Sequence, residues 1–142
     1  MSLNNIFTIA GSGMNAQSIR LNTTASNLAN ADAASSSIEE TYRGRHPIFN
    51  ALNNDILNLD AKNNGANLGV EVAGIVESDA PLQPRYEPHH PLADDEGYVY
   101  YPNVNVVEEM TNMISASRSF QMNVEIMNSA KQMMQRVLTI GQ

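Results

Sequence analysis

Apolar side chains recur at alternating spacings of three and four near both ends of the chain and lose that rhythm between them. In the first segment Phe7, Met14, Leu21 and Leu28 stand seven apart, while Leu3, Ala10, Gln17, Thr24 and Ala31 fill the interleaved row. A heptad of this kind predicts an amphipathic helix with a narrow seam for a partner helix, interrupted by the polar Gln17 and Thr24. Gly11 and Gly13 each cost a helix about 1 kcal/mol relative to alanine, so this helix is expected to be marginal alone.

The last segment is cleaner. Val106, Met113, Phe120, Met127 and Met134 form one row, and Met110, Ser117, Val124, Lys131 and Leu138 form the other. Pro102 closes the preceding segment, and Asn105 with Glu108 has the spacing of a capping box. Glu108 and Glu109 suit the positive end of a helix dipole, Lys131 and Arg136 the negative end, and Gly141 is a natural stop. The pattern predicts a helix from about residue 105 to 139, roughly 50 Å at 1.5 Å per residue, which is longer than a small globular core can cover.

All six prolines, Pro47, Pro81, Pro84, Pro88, Pro91 and Pro102, lie between these segments. The implied organisation is a mainly α chain with an irregular β insert: an N-terminal helical region 1–35, a middle region 36–102 and a C-terminal helical region 103–142. In the middle, Gly69–Ser78 reads as a strand with a bulge at Gly74, Tyr98–Tyr101 as a second short strand and His46–Phe49 as a weaker third. Residues 50–68 are rich in asparagine and read as a loop or irregular hairpin. Residues 79–97 carry four of the prolines and read as an extended, polyproline-like connector.

Charge sharpens this division. The net charge of −7 over 142 residues falls entirely in residues 36–102, and both ends are neutral. A solvated helix face normally carries abundant charge, yet the first segment offers Asn15, Gln17, Ser18, Asn22, Thr23, Ser26, Asn27 and Asn30. Uncharged hydrogen-bonding groups tolerate burial against another protein far better than charges do. Both helices are therefore expected to be surrounded by partners in the working state. The predicted interface comprises Phe7, Met14, Leu21, Asn27, Leu28 and Asn30, with Val106, Met110, Met113, Phe120, Val124, Met127, Met134 and Leu138.

Several function classes drop out. The chain has no cysteine, so it carries no disulfide, thiolate metal site or cysteine nucleophile. Its acidic balance and scattered basic residues argue against nucleic acid. No apolar run approaches the roughly 18 to 20 residues that cross a bilayer. The N-terminus lacks the basic, apolar and small-residue regions of a cleavable signal, which leaves cytosolic residence or a non-classical export route. The best metal-like cluster is Glu87-Pro88-His89-His90-Pro91-Leu92-Ala93-Asp94-Asp95-Glu96. Adjacent histidines of an extended chain point to opposite sides, so a solvated acidic turn is the favoured reading over a hydrolase site using His89, His90, Asp94 and Asp95. Gly11-Ser12-Gly13 lacks the lysine and the preceding strand of a phosphate loop. No catalytic residue, cofactor or metal is expected.

Two stretches resemble a known family. Ser18–Asp32, with Arg20-Leu21-Asn22 and Ala25-Ser26-Asn27-Leu28-Ala29-Asn30-Ala31 at its centre, resembles the N-terminal signature of bacterial flagellar axial proteins, the rod and hook families. Gly97–Met110, which contains Tyr101-Pro102-Asn103-Val104-Asn105-Val106-Val107, is similar to the proximal-rod branch. So are Ser115–Glu125, the ending Leu138–Gln142, and Tyr86-Glu87-Pro88 with His90–Asp94. Residues 35–41 depart from that pattern, and residues 33–68 lie outside it. The resemblance implies a non-enzymatic subunit of the proximal rod whose terminal helices pair as a coiled-coil layer. It implies as partners other copies of itself, other rod subunits, the protein at the junction with the MS ring, and the flagellar type III export apparatus. It places the subunit in the basal-body rod, in the periplasm after export, without insertion into a membrane. The alternative carried by the helices alone is a cytosolic coiled-coil adaptor or secretion chaperone.

Overall fold

The computed structural model describes residues 3–52 and 69–140; the Asn-rich stretch expected to form a loop or hairpin lies mostly outside them, as does the Gly141 stop. The order of elements is α1 (Leu3–Ala29), β1 (Arg45–Leu52), β2 (Gly69–Glu77), β3 (Gln83–Tyr86), β4 (Tyr98–Tyr101) and α2 (Val106–Ile140). Two long helices thus bracket a few short strands. β1 pairs with β2, and β3 pairs with β4.

The helix ends follow from local chemistry. The Asn105 side-chain oxygen accepts the backbone N–H groups of Val107 (3.1 Å) and Glu108 (3.4 Å), satisfying donors that no helical carbonyl can reach. Glu108 makes no return bond among the described residues, so Asn105 caps α2 alone. At the far end of α1, the Asn30 amide donates to the Ser26 carbonyl at 2.8 Å.

The described residues fall into two compact units. The first comprises the described parts of Met1–Ile19, Ile48–Gly74 and Ser115–Gln142, and the second comprises Arg20–Pro47 and Ile75–Ile114. In the first unit small side chains are the buried ones: Ala10 and Ala16 on α1, Ala116 and Ala130 on α2. Gly13 sits against Asn123, whose amide nitrogen would lie 2.9 Å from an added Cβ, whereas Gly11 meets only the Met127 methyl at 4.0 Å. Ser12 donates to the Ile9 carbonyl (2.9 Å) and accepts the Val70 N–H (3.1 Å), seating the start of β2 on α1. Gly69 has φ of +137° and its backbone lies against Ser12, so a side chain there is excluded twice over.

The second unit has a core of Val99, Pro102, Val104 and Ala31, with Thr23, Thr24, Asn27 and Thr41 buried beside them. β3 and β4 run antiparallel, with Gln83 opposite Tyr101, Pro84 opposite Tyr100, Arg85 opposite Val99 and Tyr86 opposite Tyr98. Tyr100 gives both its backbone groups to Ser35, each at 3.0 Å, on the other side of β4. Pro84 therefore stands where the β3–β4 ladder asks for no N–H, which is how a proline enters a strand. This corrects part of the expected connector: residues 83–86 are an edge strand. Tyr86 and Tyr98 pack edge to face at 5.4 Å, and the Arg85 guanidinium lies 4.4 Å over the Tyr101 ring.

Candidate assembly surfaces

The predicted interface residues divide by burial. On α1, Asn27 is fully buried and Phe7, Met14, Leu21, Leu28 and Asn30 are half-buried. On α2, Met113, Phe120, Val124 and Met127 are half-buried, whereas Val106, Met110, Met134 and Leu138 are exposed, Leu138 at 67%. The most covered line along α2 is Glu109, Ala116, Asn123 and Ala130, again seven apart but one position from the predicted row of Met110, Ser117, Val124 and Lys131. A search for large apolar side chains passes over this line, in which Ala116 and Ala130 alternate with the polar Glu109 and Asn123. In the first segment the interleaved row carries the buried line: Ala10 and Thr24 on α1 and Ala31 just beyond its end are buried.

α2 leaves large apolar side chains exposed on several sides of the helix. Val107, Met110, Ile114, Met122, Ile126, Met133 and Val137 all expose at least two-fifths of their surface, and every described residue from 131 to 139 is exposed. Large apolar side chains in water at this density are uncommon on a monomeric soluble protein. On α1, Gln17 holds its side-chain oxygen away from solvent without a donor among the described residues. An unmade acceptor of this kind costs about 1–3 kcal/mol.

Two asparagines organise the second unit. The Asn27 amide donates to the Arg45 carbonyl (2.8 Å), and its oxygen accepts the Arg45 N–H (2.9 Å) and the Tyr42 hydroxyl (2.8 Å). Asn27 thus bonds inside its own chain and fixes the start of β1 to the end of α1. Asn103 accepts the Gly44 N–H (2.8 Å) and donates to the carbonyls of Ser78 (3.2 Å) and Ala80 (2.8 Å). Arg20 reaches from α1 to the Asn112 side chain on α2 at 2.8 Å. These bonds tie one end of each helix and the flanks of β1 and β2 into one network. The Arg45–Glu77 ion pair at 2.9 Å is exposed on both sides and adds little.

The acidic loop after β3 forms an internally bonded turn. Asp94 accepts the N–H groups of Glu96 (2.9 Å) and Tyr98 (2.8 Å) and the Tyr100 hydroxyl (3.3 Å). The Tyr98 N–H, followed by Glu96, Tyr100 and Gly97, holds the Asp94 carboxyl below its ordinary value of 3.8 despite partial desolvation. Desolvation, then the Asp94 charge, pushes the Tyr100 hydroxyl above 10.0. His90 accepts the Leu92 N–H through Nδ1 at 3.1 Å. Among the described residues no three His, Asp or Glu side chains converge as metal ligands. No described helix is long and apolar enough to cross a membrane.

Comparison with known proteins matches both helical ends. Residues 4–34 fit a family model described as flagella basal body rod protein, and residues 95–140 fit one described as flagellar basal body rod FlgEFG protein C-terminal. Over 142 residues, all of both chains, the sequence is 50% identical to the flagellar basal-body rod protein FlgC of Salmonella typhimurium strain LT2. It is 46% identical to the FlgC of Yersinia enterocolitica over the full length of both. It is also 37% identical to that of Borreliella burgdorferi, over 100% of this chain and 99% of the other.

Proposed function

The chain belongs to the family of the flagellar basal-body rod protein FlgC, and from that premise we propose that it builds the proximal rod by packing its terminal helices against those of neighbouring subunits. It is a structural subunit of the flagellar basal-body rod, and it assembles there with other rod and basal-body components. The finer reading is that residues 1–35 and 103–142 form a coiled-coil layer and that residues 36–102 form an outer domain. The neighbours in this reading are further copies of the chain, other rod subunits and the protein at the MS-ring junction. The subunit reaches them through the type III export apparatus, and the finished shaft carries motor torque.

The observation that supports the packing is the set of large apolar side chains, from Val107 to Val137, that α2 leaves in water in a lone chain. Half-buried Leu28 and Phe120 belong to the same seams. Helix nucleation is costly, so the first turns of α1 and the exposed end of α2 gain order mainly on incorporation. Leu28→Asp and Phe120→Asp each place a charge where apolar side chains meet. Each is expected to abolish swimming and to remove the chain from isolated basal bodies. Wild-type swimming by both variants would contradict the seam assignment.

A further inference from the structure

The β3–β4 hairpin carries an apolar hollow at its base and an internally bonded knob at its tip. The hollow, about 300 Å³, is lined by Ile38, Pro81, Leu82, Pro84 and Tyr100, with Arg43 at its side. Its lining is almost wholly apolar, and at the lower end of ligand-pocket sizes it has room for a large apolar side chain. Arg43 holds the Ser78 carbonyl at 3.2 Å and has no carboxylate partner among the described residues.

The knob is the turn Glu87–Gly97. Its backbone is closed by bonds from His90 to Glu87, Ala93 to His90 and Gly97 to Asp94, each at 3.0 Å, and by the Asp94 carboxylate. Leu92 projects from it at 43% exposure. Asp95 and Glu96 are exposed beside it and make no ion pair among the described residues. Such a turn loses little freedom on binding, which favours its use as a preformed contact.

Hollow and knob are complementary in both polarity and charge: an apolar cavity beside a cation, and an apolar tip beside two carboxylates. We propose that Leu92 of one copy of this chain enters the Ile38–Tyr100 hollow of the next, with Asp95 meeting Arg43. Because the two surfaces are different parts of the same molecule, the contact is head-to-tail and propagates from copy to copy. This rests on the rod reading, and it adds a contact outside the helical layer.

The test uses the absence of native cysteine. Leu92→Cys combined with Ile38→Cys is expressed in place of the natural chain, and basal bodies are isolated from swimming cells and treated with a short bis-maleimide. The expected products form a ladder that starts at twice the chain mass, contain only this chain, and are absent from either single variant. Intact rods without those products, or with Leu92→Cys linked to a different polypeptide, overturn the contact while leaving the rod reading standing. In a second arm, Asp95→Arg, a change at an exposed position, is expected to lower the number of incorporated copies severalfold. Adding Arg43→Glu is expected to restore it. A double variant no better than Asp95→Arg alone also overturns the proposal. Cells that swim normally with the gene deleted would instead remove the rod reading itself.

Discussion

Replacing Asn27 by alanine should loosen the second unit far more than any change to the charges around it. The side chain is fully buried and makes three bonds, one to Tyr42 and two to the backbone of Arg45. At about 1 kcal/mol per bond the loss comes to about 3 kcal/mol, before any cost of the space left behind. Arg45→Ala is the control. It removes the exposed pair with Glu77 and the guanidinium contact over the Tyr42 ring at 5.5 Å, each worth at most about 1 kcal/mol, and leaves both Asn27 bonds to the backbone in place. Asn27→Asp keeps the two acceptor bonds but turns a carboxylate towards the Arg45 carbonyl, so it should cost nearly as much as alanine. The assay is amide exchange of the Arg45 N–H in the purified full-length chain, beside urea unfolding of the same samples. A loss of about 3 kcal/mol accelerates exchange about a hundredfold, since each 1.4 kcal/mol is a factor of ten. An Asn27→Ala chain that exchanges no faster than Arg45→Ala would refute the clamp.

Other outcomes follow from the same geometry. Gly11→Ala should be neutral or should stabilise α1 by up to about 1 kcal/mol, because the new methyl meets only the Met127 side chain at 4.0 Å; Gly13→Ala should forfeit that gain against Asn123, and helical content by circular dichroism separates the two. Gly69→Ala should lower the unfolding midpoint, as the residue holds φ of +137° against Ser12; a midpoint equal to wild type would show that the strand start relaxes freely. The Asp94 carboxyl titrates lower in the folded chain than unfolded, so its contribution is complete above 3.8 and disappears as pH falls through the depressed folded value; Asp94→Asn should abolish that acid-side loss of hairpin order in Tyr98 and Tyr100 NMR signals. The same variant should bring the Tyr100 hydroxyl part of the way back towards 10.0 in a spectroscopic titration, with desolvation holding the remainder.

Much of this architecture is legible in the sequence for identifiable reasons. Helix α2 begins at Val106 because Pro102 and Asn105 prepare its start, and its long proline-free heptads carry it on to Ile140. β2 and β4 announce themselves through Val, Ile and Tyr, and β4 occupies the predicted Tyr98–Tyr101. β3 hides because polyproline and edge-strand backbones are both extended, and only pairing with Tyr98–Tyr101 distinguishes them. Nothing in Pro84 alone tells that its partner Tyr100 turns its backbone towards Ser35. The line through Ala116 and Ala130 escapes a search for large apolar side chains, since alanine is equally at home in any helix. Asn27 stands out in the sequence as an uncharged group fit for burial, but its partners are set by tertiary structure, eighteen residues away at Arg45.

As a rod subunit, the chain is required for the axial structure to be completed. The most direct measurement is an in-frame deletion in the native host, complemented from a plasmid, with swimming scored and isolated basal bodies imaged. The deletion is expected to give non-motile cells whose basal bodies lack a complete rod, hook and filament, with all three restored by the wild-type chain. Motile cells with complete rods, in a host carrying no second copy of the gene, would contradict that requirement.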